Sequence, residues 1–377
     1  MPHGASFAVD VLAQFLWIPV GYVLLRLLRF RRRIALTALV FASFVPTILV
    51  NSVYTWPKML SAALVLAAIG FMLSSTLTRS QSLWSMVLAV SAATLGVLAH
   101  GAAAFAVPAL VIIALYTLRG RGIRSSLATL GMAALAGVVL YAPWFIYQRY
   151  VDPPGDRLLK WHFAGYIQVT PESFLAVLLR QYASTPLGEI VHNRVANVET
   201  FLGIDQLWRI NDPDVDLISS LRVLDWTSTA SALGIITVLT GIAALIWHSR
   251  HFRALDLAGK QRLLVLVSML PCIALWLVVL FSAHASIVPQ GSHVWILAMA
   301  IIPFAWLLER RPRLTAILLA IQALSCVSVY FVALDVEAPR QELALPQLLI
   351  VLAALVVVAI VPWLSTSGRA AKHVQTS

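Results

Sequence analysis

The chain has 377 residues, of which 60% are apolar and only 11% charged, and its formal net charge is +11. A soluble globular domain carries about 25% charged residues, so an ordinary water-soluble fold is excluded. The two cysteines, Cys272 and Cys326, each sit inside an apolar run, which excludes a disulfide framework and a cysteine-based zinc site.

The N-terminal segment MPHGASFAVD lacks the Lys or Arg of a signal peptide. Apolar runs long enough to cross a hydrocarbon core of about 30 Å then follow at 9–28, 34–50, 57–76, 83–100, 101–118 and 126–147. After a long polar segment they resume at 229–247, 263–283, 293–308, 314–333 and 346–364. The expected fold is an all-α polytopic membrane protein of about 11 transmembrane helices with one large extracytoplasmic loop domain. Residues 1–148 hold helices one to six, 149–228 the loop domain, 229–364 helices seven to eleven, and 365–377 a cytoplasmic tail.

Charge orients this array. Every second connector (RFRRR, TRSQS, RGRGIRS, HSRHFRALDLAGKQR, ERRPR and the tail GRAAKH) is strongly basic, with only Asp256 and Glu309 as acids. Short cytoplasmic loops collect Lys and Arg in this way. The positive charge is therefore a topological signal, not a nucleic-acid footprint. The expected location is the cytoplasmic (inner) membrane, with the N-terminus and the 149–228 loop on the periplasmic side.

Between Val11 and Val151 there is no carboxylate. Intramembrane ionisable groups mark ion and proton paths, so an ion-coupled transporter is disfavoured and aqueous chemistry at the outer face gains. The loop opens RYVDPPGDRLLKWHFAG (149–165), where Arg157, Lys160, Trp161 and His162 form a candidate clamp for a lipid phosphate; interfacial anchoring is the plainer reading. Two short amphipathic helices are expected next. Thr170 caps the first, ahead of Pro171, with Phe174, Leu175, Leu178 and Leu179 as its stripe to about Tyr182. The second runs from Pro186 to Leu202, with Ile190, Val191, Val195, Val198 and Leu202 on one side. Such helices lie on a bilayer or cap a cavity. NDPDVD (211–216) reads as a solvated acidic turn, since the Gly and Glu of a calcium loop are missing; no metal ligand is assigned, and a divalent-metal requirement stays open. His100 sits at a helix boundary, and His284, Gln290, Ser292 and His293 cluster in a short outer connector.

Three stretches resemble the GT-C superfamily of polyprenyl-phosphate-sugar dependent membrane glycosyltransferases, which includes protein O-mannosyltransferases and aminoarabinose transferases. NSVYTWPKMLSAALVLA (51–67) is similar to the family's "tDaPlll" segment, with Trp56 where relatives have an acid. LGVLAHGAAAFAVPALVIIAL (95–115) is similar to its "G-x-x-x-L-T-K-G" helix pair, with His100 where Lys is common. LYAPWFIYQRYVDPPG (140–155) resembles the "lPWy" end of the helix before the large outer loop. The resemblance covers roughly residues 9–310. It implies transfer of a sugar from polyprenyl phosphate to an acceptor at the outer face. It also implies Arg157, Lys160 and His162, then His284 and His293, as phosphate or donor contacts, with Trp161 and Trp56 lining the groove.

The family's catalytic Asp follows a first helix that has no counterpart here, and Asp10 is a poor substitute. The expectation is twelve helices less the first, with a missing or separately encoded partner piece carrying that acid. The competing readings are an O-antigen ligase or polymerase using Arg180, His192 and Arg194, a transporter of lipid-linked sugars, and a non-catalytic membrane subunit. The donor sugar, the acceptor and the oligomeric state are not readable from the sequence.

Overall fold

Backbone groups that cannot reach water must bond within their own segment, and for a single apolar run the helix does this. A computed structural model describes residues 3–53, 56–74, 79–151, 155–202, 235–282 and 293–327. Among these described residues the chain is all-helical, with no strand. The first half holds α1 (His3–Gln14), α2 (Trp17–Leu27), α3 (Arg32–Ser43), α4 (Pro46–Val53), α5 (Lys58–Ser74), α6 (Arg79–Ala99), a 3-10 turn (Gly101–Ala106), α7 (Val107–Leu118) and α8 (Ile123–Tyr150). Three short helices follow: α9 (Arg157–Ala164), α10 (Phe174–Ser184) and α11 (Leu187–Leu202). The second half holds α12 (Ile235–Arg250), α13 (Leu257–Val279), α14 (His293–Arg310) and α15 (Pro312–Val327).

The described part of each of the first ten apolar runs is thus helical or interrupted helix, while the run at 346–364, the 365–377 tail and NDPDVD lie outside the described residues. Among the described residues, four stretches are long and apolar enough to cross a membrane: Val9–Leu27, Gly101–Leu118, Ile123–Tyr150 and Leu257–Val279. Lys58–Ser74, Leu83–Ala99 and Pro312–Leu324 are apolar but shorter.

The first two runs are each interrupted, and proline explains both places. Pro19 and Pro46 have no N–H to give to the carbonyl four residues back. The chain tightens ahead of each: Ile18 N–H bonds Phe15 O at 3.0 Å, and Val45 N–H bonds Ala42 O at 3.0 Å. Distant side chains also bond near these places. Gln322 on α15 donates to the Phe44 carbonyl at 2.9 Å, and the Trp17 indole donates to Ser52 Oγ at 3.0 Å.

Helix α5 is the axis of the bundle. It is apolar all round, as a helix buried on every side must be, with Met59, Ala62, Val65, Leu66 and Ile69 all buried. It packs on α2, α6, α7 and α14. Small residues bring these neighbours close: Ser61 Oγ donates to Gly96 O at 2.9 Å. A Cβ on Gly96 would stand 3.2 Å from Val65, and one on Gly137 of α8 would stand 3.0 Å from Val90 of α6. Phe41 of α3 and Phe304 of α14 stack with centroids 3.7 Å apart. By contrast α8 leaves Leu127, Leu135, Val138 and Val139 exposed, an apolar surface that lipid suits and water does not.

Buried Arg262 gathers the basic connectors at one end. Its Nε donates to Leu28 O at 2.9 Å and a terminal nitrogen reaches Glu309 at 2.8 Å. Its guanidinium also lies 3.6 Å over the Phe30 ring. The 28–33, 256–262 and 306–311 segments therefore share one end of the bundle. Connectors 56–58, 100–106, 155–165 and 280–282 meet at another place, described below.

At the start of α5 the buried Gln14 carbonyl oxygen accepts from Met59 N–H at 3.0 Å and from Leu60 N–H at 3.1 Å. These are two of the orphan donors that every helix start leaves. Replacing Gln14 with Leu strands both, and each buried unsatisfied donor costs about 1–3 kcal/mol. Chemical unfolding of Gln14→Leu in detergent micelles should show a loss of about 2 kcal/mol or more; wild-type stability would refute the cap.

Candidate functional site

Trp56 and Pro57 lead into α5, and Lys58 is its first residue. The Lys58 side chain is buried, and its ammonium lies 4.9 Å from the centroid of the Trp56 ring. Trp56 itself is exposed and faces the His100 ring at 5.9 Å, tilted by 58°. His100 breaks the helical path between α6 and the 3-10 turn. Its backbone is extended, and its Nδ1 accepts from Ala102 N–H at 3.2 Å. That bond leaves the ring proton on Nε2. Ser61 holds α5 and α6 together at this level by also reaching the His100 carbonyl at 3.4 Å.

The loop after α8 completes the arrangement. Lys58 and His162 both lie close enough to His100 for their charges to be felt there. Phe105 of the 3-10 turn meets Phe163 of α9 edge-on at 6.0 Å, and Phe163 meets Phe174 of α10 at 6.1 Å. Trp161 stacks on His162 with centroids 5.0 Å apart. Helix α9 ends in a left-handed turn at Gly165: Gly165 N–H bonds Trp161 O and Tyr166 N–H bonds Lys160 O. Gly165 has φ +67°, and any Cβ there would collide with the Phe281 ring. Phe281 N–H in turn donates to His162 O at 2.8 Å, so α9 is fastened to the end of α13.

The candidate clamp residues divide. His162, half-buried, lies near enough to His100 for its charge to be felt there, with Trp161 stacked on it. Arg157 is exposed at the start of α9, where its Nε donates to Ile167 O at 3.3 Å. Lys160 faces inward, fully buried, and its ammonium bonds Asp156 at 2.6 Å and Thr170 O at 3.2 Å. This contact also corrects the expected start of α10. Thr170 is buried and tied to Lys160, so it does not cap the helix. Ser173 does, accepting from Ala176 N–H at 3.3 Å. His284 lies outside the described residues, and His293 is placed only as the first residue of α14.

Two residues of this cluster carried little weight in the sequence. Lys58 is the only basic residue between Arg33 and Arg79; a lone cation opening an apolar helix was the available signal. The sequence places His100 at a helix boundary, and its nearness to His162, 62 residues on, has no local signal. Arg180 pairs with Glu172 at 2.7 Å, and Arg194 donates to Leu280 O and Phe281 O. Arg180 serves the loop's own structure, and Arg194 ties the loop to the end of α13. Among the described residues no group of three or more His, Cys, Asp or Glu is placed to hold a metal ion.

The arrangement offers one ammonium and two imidazoles beside indole faces, a set suited to an anion attached to an apolar or sugar moiety. Burial lowers the His162 imidazole below its ordinary value of 6.5. The folded state therefore takes up this proton later than the unfolded chain, and stability falls as pH drops below about 6.5. Thermal unfolding of the detergent-solubilised protein between pH 7.5 and 5 should show that decline, and His162→Gln should flatten it. An unchanged slope would show that His162 is not the group responsible.

No family model matches the chain, and no curated protein or solved structure is significantly similar to it.

Proposed function

We propose that this chain is a GT-C-like membrane glycosyltransferase that moves a sugar from a polyprenyl-phosphate donor to an acceptor at the outer face of the cytoplasmic membrane. In this reading the bundle crosses the membrane about eleven times, the basic connectors are cytoplasmic, and the 149–228 loop is periplasmic. One observation carries the proposal. Segments 51–67 and 95–115 meet each other, and the loop that the 140–155 stretch leads into, at a single place through Trp56, Lys58, His100, Phe105, His162 and Phe163.

The chemistry assigned to that place is inverting transfer. The acceptor oxygen attacks the anomeric carbon, the bond from that carbon to the phosphate oxygen breaks, and polyprenyl phosphate leaves with the electron pair. The acceptor proton passes to a carboxylate base; no carboxylate among the described residues is assigned that role. Lys58, His100 and His162 would stabilise charge on the departing phosphate, with Arg157 at the rim. Trp56 and Trp161 would line the sugar or isoprenoid groove. Lys160 would position the loop through Asp156 and Thr170.

Binding of a polyprenyl phosphate to the purified protein should weaken about tenfold for Lys58→Ala and for His162→Ala, the equivalent of about 1.4 kcal/mol each. Sugar transfer in cells should fall with it at normal expression. Lys160→Ala should lower thermal stability instead. Unaltered binding and transfer in both Lys58→Ala and His162→Ala would sink the proposal.

A further inference from the structure

Helix α11 is built inside out. Asn193, Ala196 and Asn197 are buried against the protein, whereas Leu187, Val191, Val195 and Val198 are exposed. At 100° per residue those four aliphatic side chains fall within an arc of about 80°. His192 is exposed and Glu199 half-exposed on the adjoining flank. The helix thus presents three sectors: polar toward the protein, aliphatic outward, and ionisable between them.

The inward sector has a clear task. Asn197 Nδ2 donates to Leu277 O at 3.0 Å and to Leu280 O at 2.8 Å, while Arg194 reaches Leu280 O at 2.9 Å and Phe281 O at 2.8 Å. These are the carbonyls that the end of α13 leaves without intrahelical partners. The Arg194 charge is held at this helix end, where a cation is favoured, and near the Tyr182 ring. So α11 is fixed at the level where α13, itself long and apolar enough to cross a membrane, ends. Leu275 and Val278 of α13 are exposed just below that level.

We infer that α11 lies in the outer membrane interface, with Leu187, Val191, Val195 and Val198 in the acyl-chain boundary and the His192 flank toward the headgroups. Its occupant is lipid. The inference rests on the chain spanning a membrane and not on sugar transfer. An interfacial helix places its apolar face about 5–10 Å into the headgroup and acyl boundary. Arg194 and Asn197 then set its depth by tying it to a fixed helix end.

The test uses the full chain reconstituted in phosphatidylcholine and phosphatidylglycerol vesicles. An environment-sensitive fluorophore is attached at Val195→Cys, at His192→Cys, or at Leu135→Cys on the exposed face of α8. Wild-type protein supplies the background from buried Cys272 and Cys326. The Val195 probe should emit in the blue and be quenched more by a nitroxide lipid labelled near the headgroup than by one labelled at the chain end. The His192 probe should emit as in water. Blue emission at Val195 without lipid quenching would mean a protein cover, such as a second copy, and would overturn the inference. Water-like emission there would do the same. If the Leu135 probe is quenched and the Val195 probe is not, the inference falls while the membrane reading stands; if neither is quenched, both fall.

Discussion

The fold depends on one constraint: a helix end away from water must find partners for its unpaired backbone groups. This protein meets it with side chains from far along the chain. Gln14 caps the start of α5, Gln322 donates to the Phe44 carbonyl between α3 and α4, and Asn197 with Arg194 covers the end of α13. Arg262 does the same for Leu28 at the other end of the bundle. Each bond is modest in water but costly to lose in an apolar medium. Apolar packing then fills the space between these fixed ends, with α5 at its centre.

The functional region follows from the same constraint. The 277–281 segment is the point on which the three loop helices converge. His162 O, the Gly165 turn, the edge-on Tyr182 ring and the polar face of α11 all meet it. Because α9 is fastened there, His162 is carried to His100 and Lys58, which the α5–α6 pairing has already brought together. The cluster is a by-product of how helix ends are satisfied. Its residues come from three places in the chain because three ends meet.

Much of this was legible from local pattern. Apolar runs predicted the first ten helical regions, and Pro186 announced the start of α11. What could not be read depended on partners remote in sequence. Thr170 has the chemistry of a helix cap, yet Lys160 holds its carbonyl and Ser173 takes the role. Lys160 reads as a phosphate clamp or an interfacial anchor and is instead buried, paired with Asp156 one turn earlier. The periodicity of α11 correctly grouped Val191, Val195 and Val198, but periodicity does not say which side faces the protein. Only the exposed carbonyls of α13 decide that, and they lie about 80 residues away.

The bond from Gln322 to the Phe44 carbonyl spans 278 residues. At about 5–20 residues per second of synthesis, roughly 14–56 seconds pass before its donor exists. Through that interval the interruption between α3 and α4 has an open acceptor, as does Leu28 until Arg262 emerges. Until then these carbonyls need water or some other donor. The bonds that close these two places in the N-terminal half come from residues made more than 200 positions later.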